Sequence, residues 1–122
     1  MKIAVSAKGN TMESQMDKRF GRAANFIIIE TETLNYEVID NIAAVSSGGA
    51  GISAAQLVAD KGVEAVITGN VGPNAMNVLR AAGIEIYKGN ADCVKENVEL
   101  LKKEALEKIN TAVPSHFGMG EK

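Results

Sequence analysis

Ala65-Val66-Ile67-Thr68-Gly69-Asn70-Val71-Gly72-Pro73-Asn74-Ala75 decides the fold. Four β-branched or small apolar residues run into a glycine turn, and Pro73 then stands where a helix can begin without losing a hydrogen bond. Beyond it, Ala75, Met76, Val78, Leu79 and Ala82 recur at helical spacing until Gly83. This is a buried strand, a tight turn and a crossover helix, the unit from which parallel sheets are built.

Working outward, the same unit stands on both sides. Upstream, Ser46-Ser47-Gly48-Gly49-Ala50-Gly51 precedes a helical pattern over residues 52–59 that stops at Lys61-Gly62. Downstream, residues 84–87 read as another strand. From residue 92 to about 110, Val94, Val98, Leu101, Ala105 and Ile109 predict the longest helix, with Asp92 or Asn90 as its cap. Before the first helix lie a strand at residues 3–7, a long polar loop to about Arg22, a central strand at 25–31, a hairpin connection at 32–35 and a more exposed strand at 36–41. The second strand must be antiparallel to its neighbours, because only a short turn joins it to the third. The expected fold is a mixed five-stranded α/β sheet, second strand antiparallel, with helices on both faces. Residues 1–110 form one domain in this reading, and residues 111–122, which lack any period, form a flexible tail.

Composition narrows the function classes. No apolar run approaches the roughly 20 residues of a membrane helix, and the first residues are interrupted by Ser6, Lys8 and Asn10 before a signal-peptide core forms, so a cytoplasmic protein is expected. A net charge of −2, with three Phe, two Tyr and no Trp, offers no general footprint for nucleic acid. The single Cys93 and single His116 fall short of the usual four metal ligands, and His116 sits in the tail. Cys93, near a helix start, reads as a small, half-buried apolar residue. Met12 and Met16 are soft sulfurs more suited to packing than ligation.

The expected site lies where the first, third and fourth strands end together. There Ser46, Ser47, Gly48, Gly49, Gly69 and Asn70 offer hydroxyl and amide donors at two helix starts, and Lys8, Lys18, Arg19 and Arg22 make the first loop locally positive in an acidic chain. An anion at one helix start gains about 0.3–1 kcal/mol, so one turn alone makes no tight site. A shared site needs both turns and an arginine together. The same glycines also serve as plain turns, and the same cations as a solvated loop. An enzyme is not expected. A ribonuclease H-type nuclease needs carboxylates where this chain has Ser6 and Thr68, no Ser-His-acid set exists, and the glycine turns match neither a Walker nor a Rossmann pattern.

Met16-Asp17-Lys18-Arg19-Phe20-Gly21-Arg22-Ala23, with Phe26-Ile27-Ile28-Ile29-Glu30, Gly48-Gly49-Ala50-Gly51 and Ile67-Thr68-Gly69-Asn70-Val71-Gly72-Pro73-Asn74-Ala75, resembles the dinitrogenase iron-molybdenum cofactor family. That family includes the NifX and NafY carriers and the C-terminal domain of NifB. The resemblance spans residues 1 to about 109. It implies a ribonuclease H-like fold and a non-catalytic domain that holds or passes on an iron-molybdenum or iron-sulfur cluster cofactor or its precursor, with cluster-assembly proteins as partners. The expected cofactor-binding residues are those of the edge described above: Lys8, Arg19, Arg22, Ser46, Ser47, Gly48, Gly49, Gly69 and Asn70. Cofactor-binding members commonly carry histidine directly before the Phe-Gly of the first loop. Arg19 stands there, which places this chain outside the His-bearing group and excludes ligation of a metal from that position, since a guanidinium has no free lone pair. The alternative is an interaction or sensor module that kept the fold and binds a small anion or a partner protein.

Overall fold

A computed structural model of the chain describes residues 1–42 and 49–113. Its strands are β1 (Lys2–Ala7), β2 (Asn25–Glu30), β3 (Tyr36–Asp40), β4 (Ala65–Thr68), β5 (Glu85–Lys88) and β6 (Glu107–Lys108). The helices are α1 (Ala50–Asp60), α2 (Pro73–Ala81) and α3 (Val94–Lys102). One sheet holds all six strands in the order β3-β2-β1-β4-β5-β6. β2 runs antiparallel to β1 and β3, whereas β1, β4 and β5 are mutually parallel, as the connection lengths require.

Alternation along the strands divides the interior into two layers. Ala4, Phe26, Ile28, Val66 and Ile86 meet Ala54, Ala55 and Val58 of α1 and Met76 and Leu79 of α2. Ile3, Val5, Ile27, Ile29, Ala65 and Ile67 meet Val94, Val98 and Leu101 of α3. Helices therefore cover both faces, two on one side and one on the other, in the ribonuclease H-like arrangement. Successive side chains on a strand point to opposite faces, so each central strand feeds both layers, and this explains its nearly unbroken apolar run.

The sixth strand corrects the expected long helix over 92–110. α3 ends at Lys102, and Glu104 takes a left-handed backbone (φ 59°). Its N–H bonds to the Leu101 carbonyl, and that of Ala105 to the Leu100 carbonyl, the paired closure that usually falls on glycine. Gly83 closes α2 in the same way, through its own N–H to Arg80 and that of Ile84 to Leu79. After Glu104 the chain reverses and pairs antiparallel with β5, Tyr87 opposite Lys108 and Lys88 opposite Glu107. Leu106 is buried in the α3 layer, while Ile109 packs on the α1/α2 layer. The apolar spacing continues past the helix because the following strand also needs core contacts. Farther on, Ala112 packs against the same layer, and the Val113 N–H reaches the Val71 carbonyl at 3.0 Å.

The first loop is also more ordered than its polarity predicts. Residues 8–19 are pinned by Lys8 N–H to the Gln15 carbonyl, Asp17 N–H to Ser6, Met16 N–H to Asp92 and Val94 N–H to Ser14 (2.8–2.9 Å). Met12 and Met16 are buried, and Phe20 is fully buried with its ring 5.1 Å from that of Phe26. Both methionines act in packing.

Candidate functional site

The register brings the carboxyl ends of β1, β3, β4 and β5 to one end of the sheet. Ala7 lies opposite Asn25, which lies opposite Asp40, and Thr68 lies opposite Lys88. The Ser6 and Thr68 hydroxyls join across β1 and β4 at 2.7 Å. Since the Ser6 hydroxyl also donates to the Asp17 carbonyl at 2.6 Å, Thr68 is the donor of the shared bond. This hydroxyl pair fixes the first loop on the sheet where a nuclease would carry carboxylates.

Glycines let the three segments touch. A Cβ on Gly69 would sit 2.7–2.8 Å from Lys18 atoms, one on Gly21 about 3.0 Å from the Gly51 Cα, and one on Gly51 about 3.3 Å from the Ala75 Cβ. The loop therefore seats on the 69–72 turn, and its short 3-10 turn (Phe20–Arg22) seats on the first turn of α1, which in turn meets the first turn of α2. Backbone bonds seal the junction. Asn70 N–H donates to the Lys18 carbonyl at 2.7 Å, and Phe20 N–H to the Asn70 carbonyl at 3.3 Å. Gly49, at the N-cap of α1, is left-handed (φ 71°), and Gly72 is the N-cap of α2. Being glycines, neither N-cap residue caps its helix through a side chain. Their leading N–H groups carry the partial positive charge of a helix start.

Of the residues expected at the site, Arg19, Gly69 and Asn70 come together directly, and Gly49 joins them through α1. Lys8 is exposed at the end of β1, and Arg22 is exposed at the end of the 3-10 turn. Ser46, Ser47 and Gly48 lie outside the described residues. Arg19 is 62% exposed at its side chain but not unattached, because its guanidinium grips the carboxylate of Asp17, which is only 4% exposed (Nη2 to Oδ2, 3.2 Å; Nε to Oδ1, 3.3 Å). Oδ1 also accepts the Arg19 backbone N–H at 2.9 Å. Hydrogen bonding to Asp17, and then its charge, raise the guanidinium further above its already high pKa.

Three residues here escaped the sequence reading. Asp17 stands inside the quoted motif, yet its burial and its grip on Arg19 are tertiary facts. Asn41 donates through Nδ2 to the carbonyls of Gly21 (3.1 Å) and Ala23 (2.9 Å), and its buried Oδ1 has no partner among the described residues. Asn97 is wholly buried: Oδ1 accepts the N–H groups of Asn90 and Ala91 at 2.8 and 3.1 Å, and Nδ2 reaches the carbonyls of Ala91 and Cys93, both at 3.0 Å. A polar residue inside the stripe Val94, Val98, Leu101 was the available signal. Cys93, not Asp92 or Asn90, is the N-cap of α3, where its Sγ accepts the Glu96 N–H at 3.4 Å.

Two surface hollows lie away from this end. One of about 130 Å³ is lined by Arg80, Glu85, Lys108 and Asn110 among others, and one of about 310 Å³ by Lys2, Glu30, Tyr36 and Glu37 among others. Among the described residues, no group of three or more His, Cys, Asp or Glu could hold a metal ion, and no helix is long and apolar enough to cross a membrane.

The chain belongs to the dinitrogenase iron-molybdenum cofactor family, whose model matches residues 1–104. It is 37% identical over 112 residues to the uncharacterized protein MJ0580 of Methanocaldococcus jannaschii, covering 89% of this chain and 92% of that one. Among solved structures it is similar to the apo form of the orange protein from Desulfovibrio gigas (TM-score 0.85, 36% identity, 89% of this chain and 92% of the other). It is also similar to a candidate NifB protein from Thermotoga (TM-score 0.81, 35% identity, 93% and 97%).

Proposed function

We propose that this protein is a non-catalytic, cytoplasmic binding or carrier protein for an iron-molybdenum or iron-sulfur cluster cofactor or its precursor, exchanged with cluster-assembly proteins. The observation that carries the reading is that the family match, residues 1–104, encloses the end of the sheet where the Arg19 loop meets two helix starts with glycine at the N-cap. Such clusters are anionic, and helix N–H groups with guanidinium groups are their natural partners. Lys8, Arg19, Arg22, Gly49, Gly69 and Asn70, with Ser46, Ser47 and Gly48, make up the proposed site. The test is anaerobic mixing with isolated iron-molybdenum cofactor or its iron-sulfur precursor, followed by gel filtration and metal analysis. Metal should comigrate stoichiometrically with the protein, and Arg22→Ala should reduce it with an unchanged circular dichroism spectrum. A metal-free protein peak with both preparations overturns the reading.

One observation favours a second reading. Arg19 offers no lone pair where cofactor-binding relatives commonly have histidine, and its charge is half-committed to Asp17. An interaction or sensor module that binds a small anion or a partner protein at the same end would show no comigrating metal.

A further inference from the structure

We infer that Asp17 is a positioning residue: its buried carboxylate engages one edge of the Arg19 guanidinium and so presents the other edge to an anion carrying two neighbouring acceptor atoms. This rests on the carrier reading above and specifies how the ligand is gripped. A guanidinium has five N–H donors in a fixed fork. Asp17 takes the Nε–H and one Nη2–H, which leaves the second Nη2–H and both Nη1–H groups directed away from it. The anchor is rigid. Asp17 is tied at both backbone groups, its N–H to the Ser6 carbonyl at 2.9 Å and its carbonyl to the Ser6 hydroxyl at 2.6 Å, and Ser6 is joined to Thr68. Arg19 itself lies beside Asn70 through a backbone bridge. A 62%-exposed arginine without such a tether samples many rotamers and must be ordered on binding, which weakens affinity. The ion pair between an almost buried acid and an exposed base does that ordering in advance.

Charge alone gives the opposite expectation, and this makes the proposal testable. Asp17→Asn keeps an oxygen for the Arg19 backbone N–H but removes the carboxylate, making the protein less negative. Affinity for isolated iron-molybdenum cofactor, measured anaerobically, should nevertheless fall about fivefold. Arg19→Ala should fall at least as far, and Asp17→Asn should add nothing in the Arg19→Ala background. Arg19→Lys, which keeps the charge without the fork, should lose nearly as much as Arg19→Ala, and it serves alone if Asp17→Asn does not fold. Unchanged or tighter binding by Asp17→Asn, wild-type binding by Arg19→Lys, or an equal loss from Asp17→Asn with and without Arg19 overturns this inference alone. Absence of binding by the wild-type protein overturns the carrier reading and this inference together.

Discussion

The two faces of the sheet treat their helix starts in opposite ways. On one face, α1 and α2 begin at Gly49 and Gly72 with no side-chain cap, touch each other through Gly51 and Ala75, and receive the Arg19 loop. On the other, α3 begins at Cys93 with its thiol as cap, and the Asn97 side chain bonds two N–H groups and two carbonyls of the 90–93 turn beneath it. Met16 lies over Gly89, where a Cβ would meet its Sδ at 2.3 Å, and its sulfur takes a weak contact from Asn97 Nδ2 at 3.6 Å. Helix starts attract anions only while their N–H groups are unclaimed. The leading N–H groups of α3 are claimed by Ser14, Met12 and Cys93, and this side is a structural joint, whereas α1 and α2 start at glycines that offer no side-chain acceptor.

The sharpest way to break this contrast is to open the sealed side. Asn97→Ala truncates a wholly buried side chain and strips its partner from the N–H groups of Asn90 and Ala91 and from the Ala91 carbonyl in a partly exposed turn, and should cost about 3 kcal/mol of stability in denaturant unfolding. Cofactor binding by the fraction still folded should persist, because Asp17 and Arg19 are held by Ser6 and Asn70, although Met16 of the same loop touches the joint. Next in size is a pair of substitutions within one turn. Gly69→Ala drives a Cβ into Lys18 backbone atoms at 2.8 Å and should cost about 2 kcal/mol, lifting the first loop off and impairing binding. Gly72→Ala meets nothing within 4 Å at an ordinary φ of −73° and should be neutral or stabilise by a few tenths of a kcal/mol. Equal costs for the two would show that the loop does not depend on the close approach at Gly69.

How much of this was legible depends on where the signal lay. Strand–glycine–helix units spell themselves out locally, so β4, its turn and α2 could be read from Ala65 to Gly83, and with them the parallel core. The end of α3 could not, because its left-handed closure falls on Glu104, a residue that carries no stop signal, and the apolar spacing runs on into β6. The site was legible as an edge and as a set of residue types. Its internal pairing was not. Asp17 and Arg19 are two apart in a loop, where no periodicity says which way a side chain turns, and burial of the carboxylate depends on Ser6 and Thr68, the latter 51 residues farther along the chain than Asp17. The polar content of residues 8–19 also concealed its order, since those polar residues are tied through backbone groups that composition does not reveal.

A smaller effect separates the cap of α3 from a ligand. Cys93→Ala removes the acceptor for the Glu96 N–H and should cost about 0.5 kcal/mol, while Cys93→Ser supplies a better capping oxygen and should restore or slightly raise stability. Metal comigration should be the same in both variants and in the wild type. A marked loss in Cys93→Ser would mean that the thiol holds the ligand and that the sealed side is the functional one.

The smallest effect is at the far end of the sheet from the candidate site, where the amino terminus sits beside β2. The Met1 ammonium donates to Glu30 Oε2 at 2.7 Å and Glu32 Oε1 at 2.8 Å, and these bonds, Glu30 first, raise its pKa from 8.0 to about 10. Because the folded value exceeds the unfolded one, the native state holds this proton more tightly. The stabilisation is therefore complete below about pH 8 and disappears as pH rises through about 10. On the acid side, hydrogen bonding to the amino terminus is the largest of the effects that hold Glu32 below its ordinary 4.5, so its contribution is present above that value and is lost on further acidification. All three groups are at the surface, so the effect is modest and fades with salt. Thermal melts at low ionic strength should show a gap between the wild type and the Glu30→Gln/Glu32→Gln variant near pH 7 that closes between pH 8 and 10. Cofactor retention should be the same in both proteins at pH 7, because this cluster lies at the amino ends of β1 and β4. A change in retention would mean that the two ends of the sheet are coupled and that the contrast between its faces does not by itself define the site.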